Sequence, residues 1–183
     1  MNSSVADLIS ELVAKEGLYS NDPNDSGGET MYGITLAEAR INGYLGEMKD
    51  MPRSVAESIY EKKYWFAPAF DRVSHIYFDV ARELFDTGVN CGTGKAAEFL
   101  QIALNALNRQ GKDYADIAED CDIGPATLRA LKAYKAHRGE HGEAVLLKAL
   151  NCLQGARYIE LSRLRQKDES FVYGWLDNRV MLA

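Results

Sequence analysis

The chain has 183 residues, 46% of them hydrophobic and 26% charged, with a formal net charge of −6. That length allows one domain or two small ones, and the balance is that of an ordinary globular protein, not a disordered or fibrous one. No run approaches the roughly 18 apolar residues of a membrane span, the acidic balance argues against nucleic acid as a partner, and residues 1–4 lack the basic and apolar regions of a signal peptide.

Val5, Leu8, Ile9, Leu12 and Val13 recur at the spacing of a core-facing helix. Ser4 and Asp7 can cap its start, and Gly17 ends it. Glu16 then falls in the last turn, where the partial negative charge of the helix end disfavours a carboxylate. Residues 18–34 read as extended segments and turns, with a small irregular hairpin. Asp22-Pro23, Asp25-Ser26 and Gly27-Gly28 are the turn signals.

Thr35 with Glu38 forms a capping box for a helix to Asn42, and Ser54 with Glu57 a second box for a helix to Trp65. Pro68 stops that run. The next helix is expected over 76–85 and a loop over 86–94. A helix over 95–108 follows, with Ala96, Phe99, Leu100, Ala103, Leu104 and Leu107 on one face. Residues 109–124 are polar and loop-like. Pro125 suits the first turn of a helix to Lys135, a long helix is expected over 143–167, and 170–183 form a tail. The fold class is therefore mostly α with a small β element, and a weak boundary lies near 88–94.

Cys91, Cys121 and Cys152 are odd in number and match no zinc spacing, so they read as free thiols. His137 and His141 stand four apart, but Gly139 and Gly142 favour a loop there, and no metal site is expected. Between 129 and 167 nine Lys/Arg face three Glu, a net of +6 that leaves −12 elsewhere. That run is either a solvated helix face or an electrostatic contact with an anionic polymer or surface.

The polar stretch after the first helix holds a possible site. A helix-end Glu16, an ionised Asp25 on a turn and Thr30 beyond it suit glycoside hydrolysis. There one carboxylic acid protonates the leaving oxygen, while a second group orients water or stabilises the oxocarbenium-like centre. Tyr19 and Tyr32 can stack on sugar rings, and Asn21 can bond hydroxyl or acetamido groups. The residue types alone leave open that Glu16 is merely solvated beside a connection. A calcium loop over Asn21, Asp22, Asn24, Asp25 and Glu29 fails because Gly33 holds the twelfth position after Asp22.

The run Glu16, Gly17, Tyr19, Asn21, Pro23, Asp25, Gly27, Gly28, Thr30, Gly33, Ile34, Thr35 closely resembles the signature of the glycoside hydrolase 108 family, peptidoglycan-cleaving N-acetylmuramidases of phage endolysins and prophage regions. Leu18 departs from it, standing where the family has a second glycine. Phe85, Asp86, Asn90, Gly92, Ala96, Leu100, Gln101 and Leu104, then Asp122, Gly124, Pro125, Thr127 and Leu128, resemble the predicted peptidoglycan-binding domain that follows this catalytic domain. Arg157, Tyr158 and residues 174–179 fit its ending.

The resemblance implies a lysozyme-like α+β fold, a helical bundle with a small β-hairpin beside the catalytic Glu. It divides the chain into a muramidase domain over 1–90 and a helical peptidoglycan-binding domain over 91–183, either separate or sharing one core. It implies cleavage of the β-1,4 bond between N-acetylmuramic acid and N-acetylglucosamine, with Glu16, Asp25 and Thr30 catalytic. Thr30 stands one position early against the Glu–Asp–Thr arrangement of phage lysozymes. Tyr19, Asn21, Tyr32, Asp86, Asn90 and Gln101 are the expected substrate contacts.

Peptidoglycan is the expected partner and no cofactor is expected. The protein is expected to be a monomer without stable membrane insertion, made in a bacterial cytoplasm and acting in the periplasm or wall, with export either through a holin or by a route the sequence does not name. The alternatives are a lytic transglycosylase and a non-catalytic wall-binding or secretion-linked protein.

Overall fold

The computed structural model describes residues 4–21 and 28–180. They form two compact units, residues 1–66 and 67–183. Among the described residues the fold is mostly helical, with one two-stranded antiparallel sheet. This agrees with the expected mostly α class and small β element.

The first unit opens with α1 (Val5–Lys15). Its start carries the expected capping box: the Asp7 N–H donates to Ser4 Oγ, and the Ser4 N–H donates to the Asp7 carboxylate. Ile9 and Val13 are buried, and α1 packs on α3 (Arg53–Glu61). Arg53 also donates to the Ser10 carbonyl and hydroxyl, both at 2.7 Å. Between these helices lie β1 (Thr30–Met31), β2 (Ile34–Thr35) and the short α2 (Leu36–Ile41). Thr35 caps α2, accepting from the Glu38 N–H.

The expected box at Ser54 and Glu57 does not form. Pro52 is the cap residue of α3, and Glu57 instead pairs with Arg53 at 2.9 Å. The helix then widens into a π-helical turn over Lys62–Phe66. Such turns are uncommon and concentrate near functional sites.

The second unit comprises α4 (Phe70–Ser74), α5 (Phe78–Cys91), α6 (Thr93–Leu107), α7 (Pro125–Leu164) and α8 (Glu169–Arg179). Val80, Ala81, Leu84, Leu100, Leu104, Leu131, Tyr134, Leu146 and Leu150 fill its core. Three expectations are corrected here. Residues 86–91 are helical, because Thr87 and Gly88 are buried and the Asn90 amide bonds the Asp86 carbonyl along the helix. The two long C-terminal helices join into α7 across a kink at Gly139, φ 60°. Two tyrosines hold that kink: Tyr77 donates to the Gly139 carbonyl at 2.5 Å and Tyr134 to the Gly142 carbonyl at 2.9 Å. Residues 169–179 form a helix of their own. All three cysteines are free.

Candidate active site

The backbone leaves α1 at Glu16. Its N–H still bonds the Leu12 carbonyl at 3.2 Å, but its own dihedrals are extended (φ −73°, ψ 145°). An extended cap residue sends its side chain away from the helix face, and Gly17 follows it with open space around its Cα. Glu16 is thus half-buried at the end of a helix whose buried face, Ile9 and Val13, anchors it.

What Glu16 meets is the tip of the hairpin. Tyr32 (φ 53°) and Gly33 (φ 72°) join β1 to β2, both left-handed. This is the pattern of the two-residue turn that matches strand twist, and it favours glycine at its second position. Thr30 pairs with Thr35 and Met31 with Ile34. The buried Met31 and Ile34 set the register by facing the core. A Cβ on Gly33 would stand 2.5 Å from Glu16 Oε2 and 2.8 Å from the Tyr60 hydroxyl. The turn is therefore glycine for two reasons, its dihedral angle and the closeness of two functional oxygens.

Tyr60 arrives from α3, buried, and donates its hydroxyl proton to the Tyr32 carbonyl at 2.9 Å. Burial, and then the nearby Glu16 charge, push its phenol well above the usual tyrosine range. With its proton committed to Tyr32, the phenol offers only lone pairs towards Glu16. Its ring stacks on Tyr64 (5.8 Å, 16°), and Lys63 of the π-helical turn bonds Glu38 at 2.8 Å. The Tyr60–Tyr32 bond ties the hairpin tip to α3 beside the acid.

The opening segment joins the sheet through one bridge. The Ser20 and Thr30 backbones exchange bonds of 3.0 and 2.9 Å. Thr30 thus lies between Ser20 and Thr35, on the face opposite the buried Met31. Tyr19 is exposed and donates to Glu29 Oε1 at 2.8 Å. That bond is the main cause of a raised Tyr19 phenol, while the Asn21 side chain bonds the same ring oxygen and lowers it. Tyr19, Asn21 and Glu29 form one exposed polar cluster. Asp25 lies outside the described residues.

The remaining expected contacts lie in the second unit. Asn90 is exposed and bonds back to its own helix. Asp86 accepts from Gln154 Nε2 at 3.2 Å and faces Arg179 at 3.6 Å. Gln101 does not reach solvent, and its expected role in substrate contact is corrected. At 1% exposure it donates to Asp120, the Asp122 carbonyl and Thr127, and accepts from the Cys121 N–H. It pins the loop over 109–124, because a buried amide must satisfy both ends.

Sequence reasoning overlooked Tyr60, Glu29 and the role of Gly33. Tyr60 reads as one more residue of an amphipathic helix, and Glu29 entered only as a calcium ligand. The available signal was Tyr32-Gly33, a tyrosine and glycine flanked by alternating residues, which marks a tight turn beside the acid. Among the described residues, no group of three or more His, Cys, Asp or Glu could hold a metal ion.

Residues 9–92 match the family model described as Glycosyl hydrolase 108, and residues 95–180 match the one described as Predicted Peptidoglycan domain. A solved structure described as "Structure of Brucella abortus SagA" is similar over 91% of this chain and 94% of that one. Its TM-score is 0.54 at 23% identity, a likeness of fold. No curated protein is significantly similar.

Proposed function

The chain belongs to the glycosyl hydrolase 108 family over residues 9–92 and to the predicted peptidoglycan domain family over 95–180, and on that premise we propose that Glu16 is the acid of its reaction. The family makes the chain a glycoside hydrolase acting on peptidoglycan, an N-acetylmuramidase. Glu16 gives its proton to the glycosidic oxygen between N-acetylmuramic acid and N-acetylglucosamine. Water attacks the anomeric carbon, and the carboxylate then recovers a proton. The observation that carries this reading is the closeness of Glu16 Oε2 and the Tyr60 hydroxyl to Gly33: the acid is half-buried beside a glycine-tipped hairpin.

Asp25 is the proposed second group, as base or electrostatic stabiliser. Thr30 is the proposed group that orients water, supported by its place in the sheet between Ser20 and Thr35. Tyr19, Asn21 and Tyr32 supply glycan contacts, supported by the exposure of Tyr19 and Asn21. Asp86 and Asn90 are proposed as further substrate contacts, both inside the stretch that matches the hydrolase family. In this reading the catalytic module covers 1–90 and the wall-binding module 91–183, supported by the change of family model between 92 and 95. Phage-type host lysis by a monomer, reaching the periplasm through a holin, extends the same proposal. It is supported by the likeness of the Glu16–Thr35 run to phage endolysins. Among the described residues no helix is long and apolar enough to cross a membrane.

Glu16→Gln tests the assignment. The amide keeps the shape and cannot deliver a proton, so turnover of purified peptidoglycan should fall about 10²- to 10⁴-fold with an unchanged melting curve. Wild-type turnover by the variant would end the proposal. Mass spectrometry of the released muropeptides separates the rival chemistry: reducing ends are expected, and anhydromuramyl ends would mean a transglycosylase.

A further inference from the structure

The second unit carries an aromatic surface that its core does not use. Phe171 and Trp175 stand one turn apart on α8, with ring centroids 6.1 Å apart and planes within 21°. Trp175 is held from beneath by the buried Tyr158 at 5.4 Å. Phe171 has no such cover and is 57% exposed. A packed helix ordinarily turns such rings inward; here one ring is braced and its neighbour is open to water.

Three cations precede these rings in the chain. Arg163, Arg165 and Lys167 are exposed at the end of α7 and in the following 3-10 turn, and none forms an ion pair or side-chain hydrogen bond among the described residues. Elsewhere in the same basic run Arg157 pairs with Glu160 at 2.6 Å, Arg138 with Asp113 at 3.5 Å and Lys135 with Glu140 at 3.1 Å, whereas Arg129, Lys132 and Lys148 form no ion pair among the described residues. The unpaired positive charge of this run thus includes three cations placed four to eight residues before the open ring in the chain.

We infer that Phe171 and Trp175, with Arg163, Arg165 and Lys167, form a binding platform for peptidoglycan glycan strands, separate from the residues that carry out hydrolysis. Pyranose rings present apolar C–H faces that pack on aromatic rings. The peptide stems on alternate sugars carry carboxylates that the three cations complement. The whole platform lies inside residues 95–180, the stretch that matches the predicted peptidoglycan domain, which favours a wall polymer over a membrane as occupant. The inference rests on the muramidase reading for the identity of the polymer, but not on the role of Glu16.

The test uses the full chain carrying Glu16→Gln, so that binding is measured without depending on turnover. Cosedimentation with purified sacculi is compared for this parent and for added Phe171→Ala. The second comparison carries Arg163→Glu, Arg165→Glu and Lys167→Glu together. Loss of one open aromatic contact should weaken binding about five- to tenfold. The charge reversal should weaken it further and remove most of its salt dependence. Trp175→Ala is less informative, since its ring braces Tyr158; Phe171 is open enough for its variant to keep the parent's melting curve.

Equal binding by all three folded proteins overturns the inference. So does a Phe171→Ala variant that binds sacculi like the parent yet no longer floats with phosphatidylglycerol vesicles, since the surface is then a membrane contact. A Phe171→Ala change from dimer to monomer with unaltered sacculus binding overturns it in favour of a self-interface. If Glu16→Gln itself still hydrolyses sacculi, the catalytic assignment fails while the binding comparison can be read with hydrolysis blocked by cold.

Discussion

Replacing Gly33 by alanine probes the site at its tightest point. The new Cβ would stand 2.5 Å from Glu16 Oε2 and 2.8 Å from the Tyr60 hydroxyl, both too close for a carbon–oxygen contact. The carboxylate must retreat by roughly 0.7 Å to reach an ordinary contact, and misplacement on the order of 1 Å costs about 10²-fold in turnover. The backbone is also strained, because φ is +72° at Gly33. A left-handed non-glycine residue costs about 1–2 kcal/mol, or a melting-temperature loss of roughly 2–8 °C in a chain of this size.

Gly43→Ala is the control. Its φ is +86° and nothing lies within 4 Å, so it carries the strain without the collision. Dye release from labelled peptidoglycan, read beside thermal melts, should show both variants destabilised, Gly33→Ala at least as much as Gly43→Ala, and only Gly33→Ala impaired by about 10²-fold. If Gly33→Ala turns over like wild type, or both variants lose activity alike, the hairpin tip does not position the acid.

Glu83 gives a pH prediction. Burial, then the charge of Asp86, raises its carboxyl to about 7, against the opposing effects of Asn151 and Arg82. One of its oxygens, Oε1, is buried without a partner among the described residues. The folded state therefore holds a proton that the unfolded chain has released, and this stability is complete below about pH 4.5 and lost as pH rises through about 7. Glu83→Gln should stabilise the fold by about 3 kcal/mol at most at pH 8 and hardly at all at pH 4.5; a gain independent of pH in urea titrations would contradict the cause. Gln101→Leu strands the Cys121 N–H and the loop groups it served, and should cost about 2–4 kcal/mol. Hydrogen exchange should rise first in residues 109–124, and an unaltered exchange pattern there would remove Gln101 as the pin.

Local chemistry was legible wherever it closes over a few residues. The Ser4–Asp7 box, the Thr35 cap and the apolar face of α6 follow from spacing, because capping and amphipathic burial involve neighbours along one helix. Glu16 at the end of α1 followed in the same way, while the turn signals over 22–27 lie outside the described residues. Residues 86–91 were misread for a related reason. Asp86 and Asn90 are turn formers by type, but burial of Thr87 and Gly88 holds them in α5, and no local pattern reports burial against other helices. The loop expected around Gly139 and Gly142 is instead a kink within α7, held by Tyr77, which is remote in the sequence.

The sequence by itself determined a mostly helical chain with an acid at a helix end before a polar turn, since helix periodicity, caps and glycines act over one or two turns. Only the tertiary structure decided what that acid faces. Gly33 and Tyr60 reach Glu16 because the hairpin register and the α1–α3 packing bring together three segments that share no local pattern. The same holds for Gln101, which the fold buries, and for Phe171, which it leaves open. Burial depends on what packs against a side chain, and that is set by contacts between elements.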